Sequence, residues 1–365
     1  MKAAVFSPSP YQGPAPRGVW PVPSESFSSE LAQRSMDISL GNFQLADELG
    51  FDWVTVAEHH FAPMSLTPNP MIMAGAITQR VRRAKVAVLG PTIPILNPVR
   101  VAEEFAMLDN LTGGRVVAGM LRGTSNEYVT YNVNPAESRD RFEEALRLIV
   151  QAWTEPQPFG WQGRYYEYRT ISIWPKPAQV PHPPIYISGS SPESGDLAAK
   201  YHLHIGFAFT TVPFAREAAR HFRQQANAHG WEPTPDHVLY RLMVHVRETD
   251  QQAYDDLYET GAAGRRESFS TANAAVDNAA ASAGYYGRDE ETQRARHENH
   301  EINERVARGQ IMVGSPETVW KRIQWIHEEI GPGVLELNFQ SVPGGRTHRS
   351  MELFAEHVLP RMREL

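Results

Sequence analysis

The most informative stretch of the chain is GFDWVTVAEHHF, which occupies residues 50–61. Its run from Asp52 to Val56 is too short and too uniformly apolar for a half-exposed antiparallel strand, so it predicts a buried strand of a parallel sheet. Glu58, His59 and His60 follow directly. In an α/β barrel, polar residues just past the carboxyl end of a strand point into a shared mouth. The stretch therefore predicts a strand and, at its end, a titratable group.

Seven more short apolar runs share this pattern, and amphipathic stretches separate them along the chain. Such alternation is typical of βα units around a parallel sheet, and eight strands are the number that closes a barrel. We therefore predict a (β/α)8 TIM barrel of the α/β class that spans residues 1–365 as a single domain. The predicted strands are Ala3–Phe6, Asp52–Val56, Lys85–Leu89, Arg115–Gly119, Ile185–Gly189, Leu203–Phe207, Leu239–Val246 and Val334–Phe339.

Three segments exceed what a minimal barrel needs, and we interpret them as insertions near residues 8–36, 155–184 and 264–310. The first is rich in Pro and Ser, the second is rich in aromatic residues, and the third has little apolar content. Long polar loops in compact domains are usually active-site lids or disordered segments, so we expect a mobile lid or a short polar helix within 264–310. The three insertions together are expected to wall a cavity that excludes water.

The composition excludes several classes of function. A net charge of -7 gives no broad positive field for nucleic acid, so we expect no nucleic-acid partner. The absence of cysteine excludes thiolate nucleophiles, disulfides and cysteine-ligated metal centres. No run approaches the roughly 20 apolar residues that span a bilayer, and the first residues lack a signal-peptide core. We therefore expect a cytoplasmic enzyme with no membrane partner.

Histidine pairs raise two interpretations each. Imidazole exchanges a proton near neutral pH, so His59 or His60 is a candidate acid or base, although adjacent histidines also serve as structural residues that bond backbone groups. His202 and His204 lie two residues apart, and a second pair, at positions 297 and 300, lies three apart. Surface or packing roles are favoured over metal sites for these two pairs.

Two polar strand ends suit a phosphate group. Arg122, followed by Gly123, can present its planar fork to a phosphate while the glycine lets the backbone approach closely. Ser190, Ser191 and Ser194 stand where a predicted strand gives way to a helix, which is a pattern that forms an anion nest. One arginine with one nest suits a phosphate monoester such as a mononucleotide, and helix capping explains the two adjacent serines equally well. Sequence motifs of dinucleotide folds, P-loops, zinc proteases and nucleophile elbows are absent.

Five segments fall at predicted strand ends or on the helices that follow them. The segments are GFDWVTVAEHHF, NPVRVAEEFAMLDNLTGGR, LRGTSNEY, NPAESRDRFEEALRLI and VGSPETV. Their order and spacing resemble the bacterial luciferase-like, flavin-dependent monooxygenases, and the resemblance spans nearly the whole chain.

Membership of this family implies an α/β barrel that binds reduced FMN, reacts it with O2 to a flavin C4a-hydroperoxide and oxygenates a small or medium apolar organic substrate. It implies a separate NAD(P)H:flavin reductase, a homodimer, and a non-prolyl cis peptide at Leu89–Gly90. His59 becomes the catalytic histidine. The implied cofactor-binding residues are Glu58, Leu89, Gly90, Arg122, Gly123, Ser190, Ser191 and Ser194.

Departures from the family pattern limit what the resemblance implies. Luciferase carries a reactive cysteine, an acidic residue and an aromatic residue where this chain has Leu121, Ser190 and Ser125, so light emission is not implied. Tyr131 and Asn132 replace a Phe-Gly pair, which indicates a different substrate side. Two alternatives remain open: an oxidoreductase that transfers hydride with coenzyme F420 on the same barrel, and a non-catalytic flavin-binding relative.

Overall fold

The computed structural model describes residues 1–16, 19–189, 191–262 and 301–365. Most of the predicted lid, together with Ser190 and the histidines at positions 297 and 300, therefore lies outside the described residues. Within them, no helix combines the length and the apolar character needed to cross a bilayer.

Eleven strands are present among the described residues. They are β1 (Lys2–Phe6), β2 (Trp53–Val56), β3 (Lys85–Val88), β4 (Val116–Gly119), β5 (Phe159–Gln162), β6 (Glu167–Ile171), β7 (Ile185–Ser188), β8 (His204–Ala208), β9 (Val238–Val246), β10 (Ile311–Gly314) and β11 (Val334–Phe339).

Twelve α-helices flank these strands in the described part of the chain. They are α1 (Ser29–Leu49), α2 (Pro70–Ile77), α3 (Pro98–Thr112), α4 (Ser125–Tyr131), α5 (Ser138–Thr154), α6 (Pro192–Lys200), α7 (Val212–Ala228), α8 (Asp250–Glu259), α9 (Ile302–Ala307), α10 (Pro316–Ile330), α11 (Arg346–His357) and α12 (Leu359–Met362).

Eight parallel strands close into a barrel, which confirms the predicted fold class. Their order around the ring is β1, β2, β3, β4, β7, β8, β9 and β11, and β11 pairs with β1 to complete the circle. These eight are the predicted strands, and no end differs from its predicted position by more than one residue. A further strand that was not predicted, β10, pairs in parallel with β9 outside the ring. Its four residues are all buried, so no polar alternation marks it.

Alternate residues of each strand build two separate layers of the core. Outward-facing residues pack against the helices, where Phe105 of α3 and Phe142 and Trp153 of α5 are buried. Inward-facing residues fill the barrel axis, among them Ala4, Trp53 and Tyr186. Burial of one such large side chain contributes about 1.5–3 kcal/mol, so this double layer holds the strand ends in fixed positions.

The insertion at 155–184 folds into the antiparallel hairpin of β5 and β6. The Glu144 carboxylate of α5 fastens it, because it accepts hydrogen bonds from the backbone N–H groups of Arg164, Tyr165 and Tyr166 at 3.0–3.1 Å. None of residues 155–184 lines the central cavity. The expectation that this insertion helps to wall the cavity is therefore wrong, because its aromatic residues cover the outside of the barrel.

The amino-terminal end of the barrel is closed by stacked rings. The His204 ring lies between Tyr186 and His237, with ring centroids 4.5 and 4.4 Å away. The Tyr186 hydroxyl donates a hydrogen bond to the Asp236 carbonyl at 2.6 Å, and His202 stacks on Trp231 at 4.7 Å. Burial lowers the pKa of His204 to about 4, and the neighbouring His237 adds to this shift.

His202 and His204 therefore pack against neighbouring rings, which is one of the two roles favoured for them. Among the described residues, no group of three or more His, Asp or Glu side chains is placed so that it could hold a metal ion. The opposite end of the barrel, where the strands terminate at their carboxyl ends, is open.

Candidate active site

A large cavity of about 2580 Å³ opens at the carboxyl ends of the barrel strands. Pockets for one drug-sized ligand measure roughly 300–1,000 Å³, so this cavity has room for two molecules at once. Its walls include Pro8, Trp20 and Val22 of the first insertion together with residues that follow most of the barrel strands. The first insertion thus takes the position expected for it.

His59 and Glu127 form a pair inside this cavity. The His59 Nδ1 atom lies 3.5 Å from Glu127 Oε1, and the side chains are 25% and 1% exposed. The Thr124 N–H donates a hydrogen bond to the other carboxylate oxygen of Glu127, Oε2, at 2.7 Å. Burial by itself raises the pKa of Glu127, but His59 and Thr124 outweigh that effect and hold its pKa below the ordinary value. Glu127 is therefore a charged, fixed partner for the histidine.

Sequence reasoning missed Glu127, although the residue stands in the LRGTSNEY segment. It occupies the third position of α4, where its carboxylate reaches back to the N-cap residue Thr124 in a capping box. The T-x-x-E spacing of residues 124–127 is the signal for such a box. Nothing in the sequence, however, relates α4 to the end of β2, because that proximity comes from the closure of the barrel.

Glu58 and His60 form a separate buried pair. The Glu58 carboxylate lies 3.2 Å from His60 Nε2, and its other oxygen accepts a hydrogen bond from the Thr92 N–H at 3.4 Å. The His60 ring meets Tyr131 edge to face at 5.1 Å. Glu58 lines the cavity, yet its carboxylate is engaged by these neighbours. Of the two adjacent histidines, His60 has the structural role and His59 faces the cavity.

Arg122 and Gly123 lie in the cavity wall after β4. The Arg122 guanidinium donates to the Ser138 hydroxyl at 3.3 Å. A second cation, Arg139, lies on the same wall and pairs with Glu193 at 3.3 Å. Arg139 is a residue that the sequence analysis did not single out, although it belongs to the quoted segment NPAESRDRFEEALRLI. Two guanidinium groups thus converge near the start of α6.

The turn before α6 supplies hydroxyl groups to the same region. Ser191 is the N-cap residue of the helix, and its Oγ lies 3.1 Å from the Ser194 Oγ. Ser194 lines the cavity, whereas Ser191 stands behind it. Burial raises the pKa of the Glu193 carboxyl, but its own backbone N–H, the Ser191 hydroxyl and the nearby cations together hold that pKa below its ordinary value. The region is therefore a cluster of cations and hydroxyl groups at a helix N-terminus.

Leu89 and Gly90 lie in the cavity wall after β3. The expectation of a cis peptide between them is wrong, since the cis bonds of the described residues all precede proline. The trans form is the ordinary state of a non-prolyl bond and avoids a cost of about 3 kcal/mol. Gly90 is nevertheless required, because a Cβ atom there would lie 2.5 Å from the Glu58 nitrogen. The end of β3 thus packs directly on the end of β2.

Arg241 of β9 and Glu336 of β11 form a buried ion pair in the barrel, which the sequence analysis also missed. The Arg241 Nε donates to Glu336 Oε2, and the two strands are in register at these residues. Arg241 lines the cavity. Both residues lie within otherwise apolar runs that the sequence predicts as core strands. Only the structure shows that both side chains point into the barrel and meet there.

Comparison with known proteins places this geometry in a family. The family model for luciferase-like monooxygenases matches residues 22–332. The chain belongs to the luciferase-like monooxygenase family. This confirms the resemblance read from the sequence and agrees with a barrel whose polar residues gather at the carboxyl ends of its strands.

Luciferase-like relatives of known structure and activity are similar along the chain. The chain is 25% identical to the FMNH2-dependent dimethylsulfone monooxygenase of Pseudomonas putida over 96% of its own length and 90% of that protein. It is similar in structure to the monooxygenase RslO1 from Streptomyces bottropensis, with a TM-score of 0.77, 26% identity and 99% of each chain covered.

Other luciferase-like relatives match over a shorter part. The chain is 32% identical to the F420-dependent glucose-6-phosphate dehydrogenase of Microbacterium testaceum over 43% of its own length and 48% of that protein. The chain spans about half the length of several curated relatives, from 46% in one to 60% in another. These relatives use more than one cofactor, since one is FMNH2-dependent and another is F420-dependent. The choice of cofactor for this chain has to be argued from its site.

Proposed function

We propose that the protein is an FMNH2-dependent monooxygenase that takes reduced flavin from a separate NAD(P)H:flavin reductase and oxygenates an organic substrate. One observation carries the proposal. A single cavity joins a cluster suited to a phosphate monoester, formed by Arg122, Arg139 and Ser194, to the His59–Glu127 pair. A mononucleotide cofactor bound by its phosphate therefore has access to a histidine that can exchange protons.

The residues present fit FMN by their donor chemistry. A phosphate monoester carries a charge of about −1.5 to −2 at neutral pH and accepts several hydrogen bonds. Arg122 and Arg139 supply the opposite charge, Ser194 supplies a hydroxyl, and the N-terminus of α6 supplies a favourable dipole. Arg139 exchanges its contact with Glu193 for the phosphate in this arrangement. Ser191 supports Ser194 through the contact between their hydroxyl groups.

Reduced FMN, when bound, supplies the chemistry that activates O2, and the protein supplies proton control. Since Glu127 is buried and held as a carboxylate, it fixes the proton of His59 on Nδ1. The Nε2 atom is then the one that exchanges a proton with a group in the cavity. Fixing the tautomer in this way is how a carboxylate makes an imidazole effective in acid–base catalysis. Glu127 is a positioning residue, and His59 is the catalytic residue.

The cavity walls also control access of water. Phe6, Trp20, Val22, Phe209 and Phe339 present apolar surface to the interior. A site of this kind strengthens the interactions of the few polar groups inside and limits the loss of reactive species to bulk water. The two functions, proton control and water exclusion, are what an oxygenating flavoprotein requires of its protein part.

Hydride transfer with coenzyme F420 is the second candidate, because a relative that is 32% identical over 164 residues is named as F420-dependent. The two candidates differ in their need for oxygen. A monooxygenase consumes O2 and places one oxygen atom in the product. An F420 oxidoreductase turns over anaerobically and adds no oxygen.

The test supplies FMN, a generic flavin reductase, NADH and O2 to the full chain and surveys candidate organic substrates by mass for one added oxygen atom. The proposal is supported if a substrate gains one oxygen atom and this gain is lost when O2 is left out. His59→Ala is expected to bind FMN and to release peroxide in place of product. Anaerobic turnover with F420 contradicts the proposal, and flavin binding without product across the survey favours the non-catalytic alternative.

A further inference from the structure

The buried pair of Arg241 and Glu336 has no assigned role in flavin or proton chemistry. We infer that Arg241 is a specificity-determining residue, which donates hydrogen bonds to an uncharged oxygen acceptor of the organic substrate, such as a ketone carbonyl. The inference rests on the proposed function, because it assumes that the organic substrate binds in this same cavity and names the class of that substrate.

The Arg241 guanidinium is held rigidly while part of it remains available. Its Nε donates to Glu336 Oε2, and it has no other side-chain hydrogen bond among the described residues. Its central carbon lies 3.8 Å from the centroid of the Phe6 ring and 5.7 Å from that of Phe209. Aromatic rings favour a guanidinium beside them and restrict its rotamers. The remaining N–H groups therefore sit at the cavity in a fixed orientation.

The position of Arg241 in the ring of strands separates it from the phosphate cluster. Arg122 follows β4 and Ser194 follows β7, which are neighbours in the ring. Arg241, Glu336 and Phe6 belong to β9, β11 and β1, which form the opposite side. A phosphate held at the first side is therefore not the acceptor for Arg241. The acceptor belongs to whatever occupies the far part of the cavity.

The charge of the pair decides between a neutral and an anionic acceptor. Glu336 is completely buried and already neutralises Arg241, and its Oε1 has no hydrogen-bond partner in the described part of the chain. A second carboxylate beside this pair would leave one uncompensated negative charge in a place of low dielectric, which is costly. An uncharged oxygen accepts the free N–H groups without that cost. A carbonyl or a similar neutral oxygen therefore fits best.

The test measures binding of three probes of one shape: cyclohexanone, methylenecyclohexane and cyclohexanecarboxylate. Ligand-observed NMR relaxation reports their affinity for the full chain, with and without FMN, and needs neither reductase nor O2. We expect wild type to bind the ketone at least about tenfold tighter than the hydrocarbon, as befits a hydrogen bond from a charged donor. Arg241→Met should abolish this preference. Arg34→Met, on an exposed part of the same cavity wall, should keep it.

Glu336→Gln provides a change of preference that a merely structural role would not produce. Without the neutralising charge, the cavity should favour the carboxylate over the ketone. Equal binding of ketone and hydrocarbon by wild type overturns the inference, as does an unchanged preference in Arg241→Met. If Arg241→Met weakens FMN as much as it weakens the ketone, the acceptor is a flavin carbonyl and the substrate assignment is wrong. None of these outcomes depends on whether oxygenation occurs.

Discussion

The Nδ1 atom of His59 lies 3.5 Å from the Oε1 atom of Glu127, and this contact links the end of β2 to the first turn of α4. The carboxylate is almost fully buried, and its pKa lies below the ordinary value because His59 and Thr124 outweigh the effect of burial. A histidine that faces a large cavity is thereby held by a fixed negative charge behind it.

Glu127→Gln tests the positioning role. The amide keeps the size of the side chain but no longer fixes the His59 proton on Nδ1, so the rate of coupled oxygenation should fall about 100-fold, the lower end of what a positioned proton-transfer group contributes. FMN affinity should stay within about twofold by the same reasoning, because Glu127 is not part of the phosphate cluster. The measurement is the ratio of oxygenated product to released peroxide, alongside the dissociation constant of FMN.

Two matched variants complete this test. Glu127→Asp retains the charge and should recover part of the product yield. Glu30→Gln, an exposed acid on the same cavity wall, should leave the yield unchanged. A Glu127→Gln protein with the wild-type ratio of product to peroxide would show that the contact with His59 has no part in proton control.

Arg122→Ala tests the phosphate cluster. Loss of the guanidinium should weaken FMN by about 1.5–3 kcal/mol, the usual contribution of a hydrogen bond to a charged group. Arg139→Ala should weaken it as well, by less, because Arg139 leaves its contact with Glu193 to bind the phosphate. Fluorescence titration measures both. Riboflavin, which lacks the phosphate, is the control ligand, and equal losses for riboflavin and FMN would place the phosphate elsewhere.

The fold was predictable because its signal is local. Each barrel strand is a short apolar run with breakers on both sides, and the closed ring follows from their number. β10 escaped prediction because its four residues lie in a buried run next to a helix start, and nothing in IMVG distinguishes a ninth strand outside the ring from a loop. The hairpin of β5 and β6 was recognised as an insertion, but its position outside the barrel depends on contacts with α5.

The site was predictable only as a collection of strand ends. His59, Arg122 and Ser194 all line the cavity because each follows a strand of the ring. Their neighbours Glu127 and Arg139 were not predictable, because they lie on helices whose approach to the cavity is set by the closure of the barrel. The cis peptide at Leu89–Gly90 was carried over from the family, whereas the local requirement for glycine comes from close contact with the end of β2.

His204→Gln tests the stacked rings at the amino-terminal end. Because the folded-state pKa of His204 lies near 4, against an ordinary value of 6.5, the unfolded chain binds more protons between these values. Stability is therefore fully present above the ordinary value and is lost as the pH falls towards 4. Between about pH 7.5 and pH 5 the wild type should lose about 2 kcal/mol of unfolding free energy through this group.

Urea unfolding at the two pH values provides the measurement. The loss on acidification should be about 2 kcal/mol smaller in His204→Gln than in wild type, whatever the variant costs at neutral pH. His357→Gln, at a largely exposed position on α11, should retain the wild-type loss. An identical pH dependence in all three proteins would mean that the His204 ring is protonated as readily in the folded state as in the unfolded chain.

Exposed apolar residues on α2 and α3 bear on the homodimer that the family resemblance implies. Ile72, Met107 and Leu111 are 74%, 58% and 56% exposed, and the last two are one helical turn apart on α3. A surface of this kind that meets its own copy buries apolar area on both sides of a twofold axis.

We expect wild type to elute at twice 41.0 kDa in light-scattering chromatography. The double substitution Met107→Glu with Leu111→Lys should yield a folded monomer, since exposed positions tolerate charge. Tyr258→Lys, an equally exposed change on α8, should leave the dimer intact, and a wild type that runs as a monomer at micromolar concentration would contradict the assignment of this face.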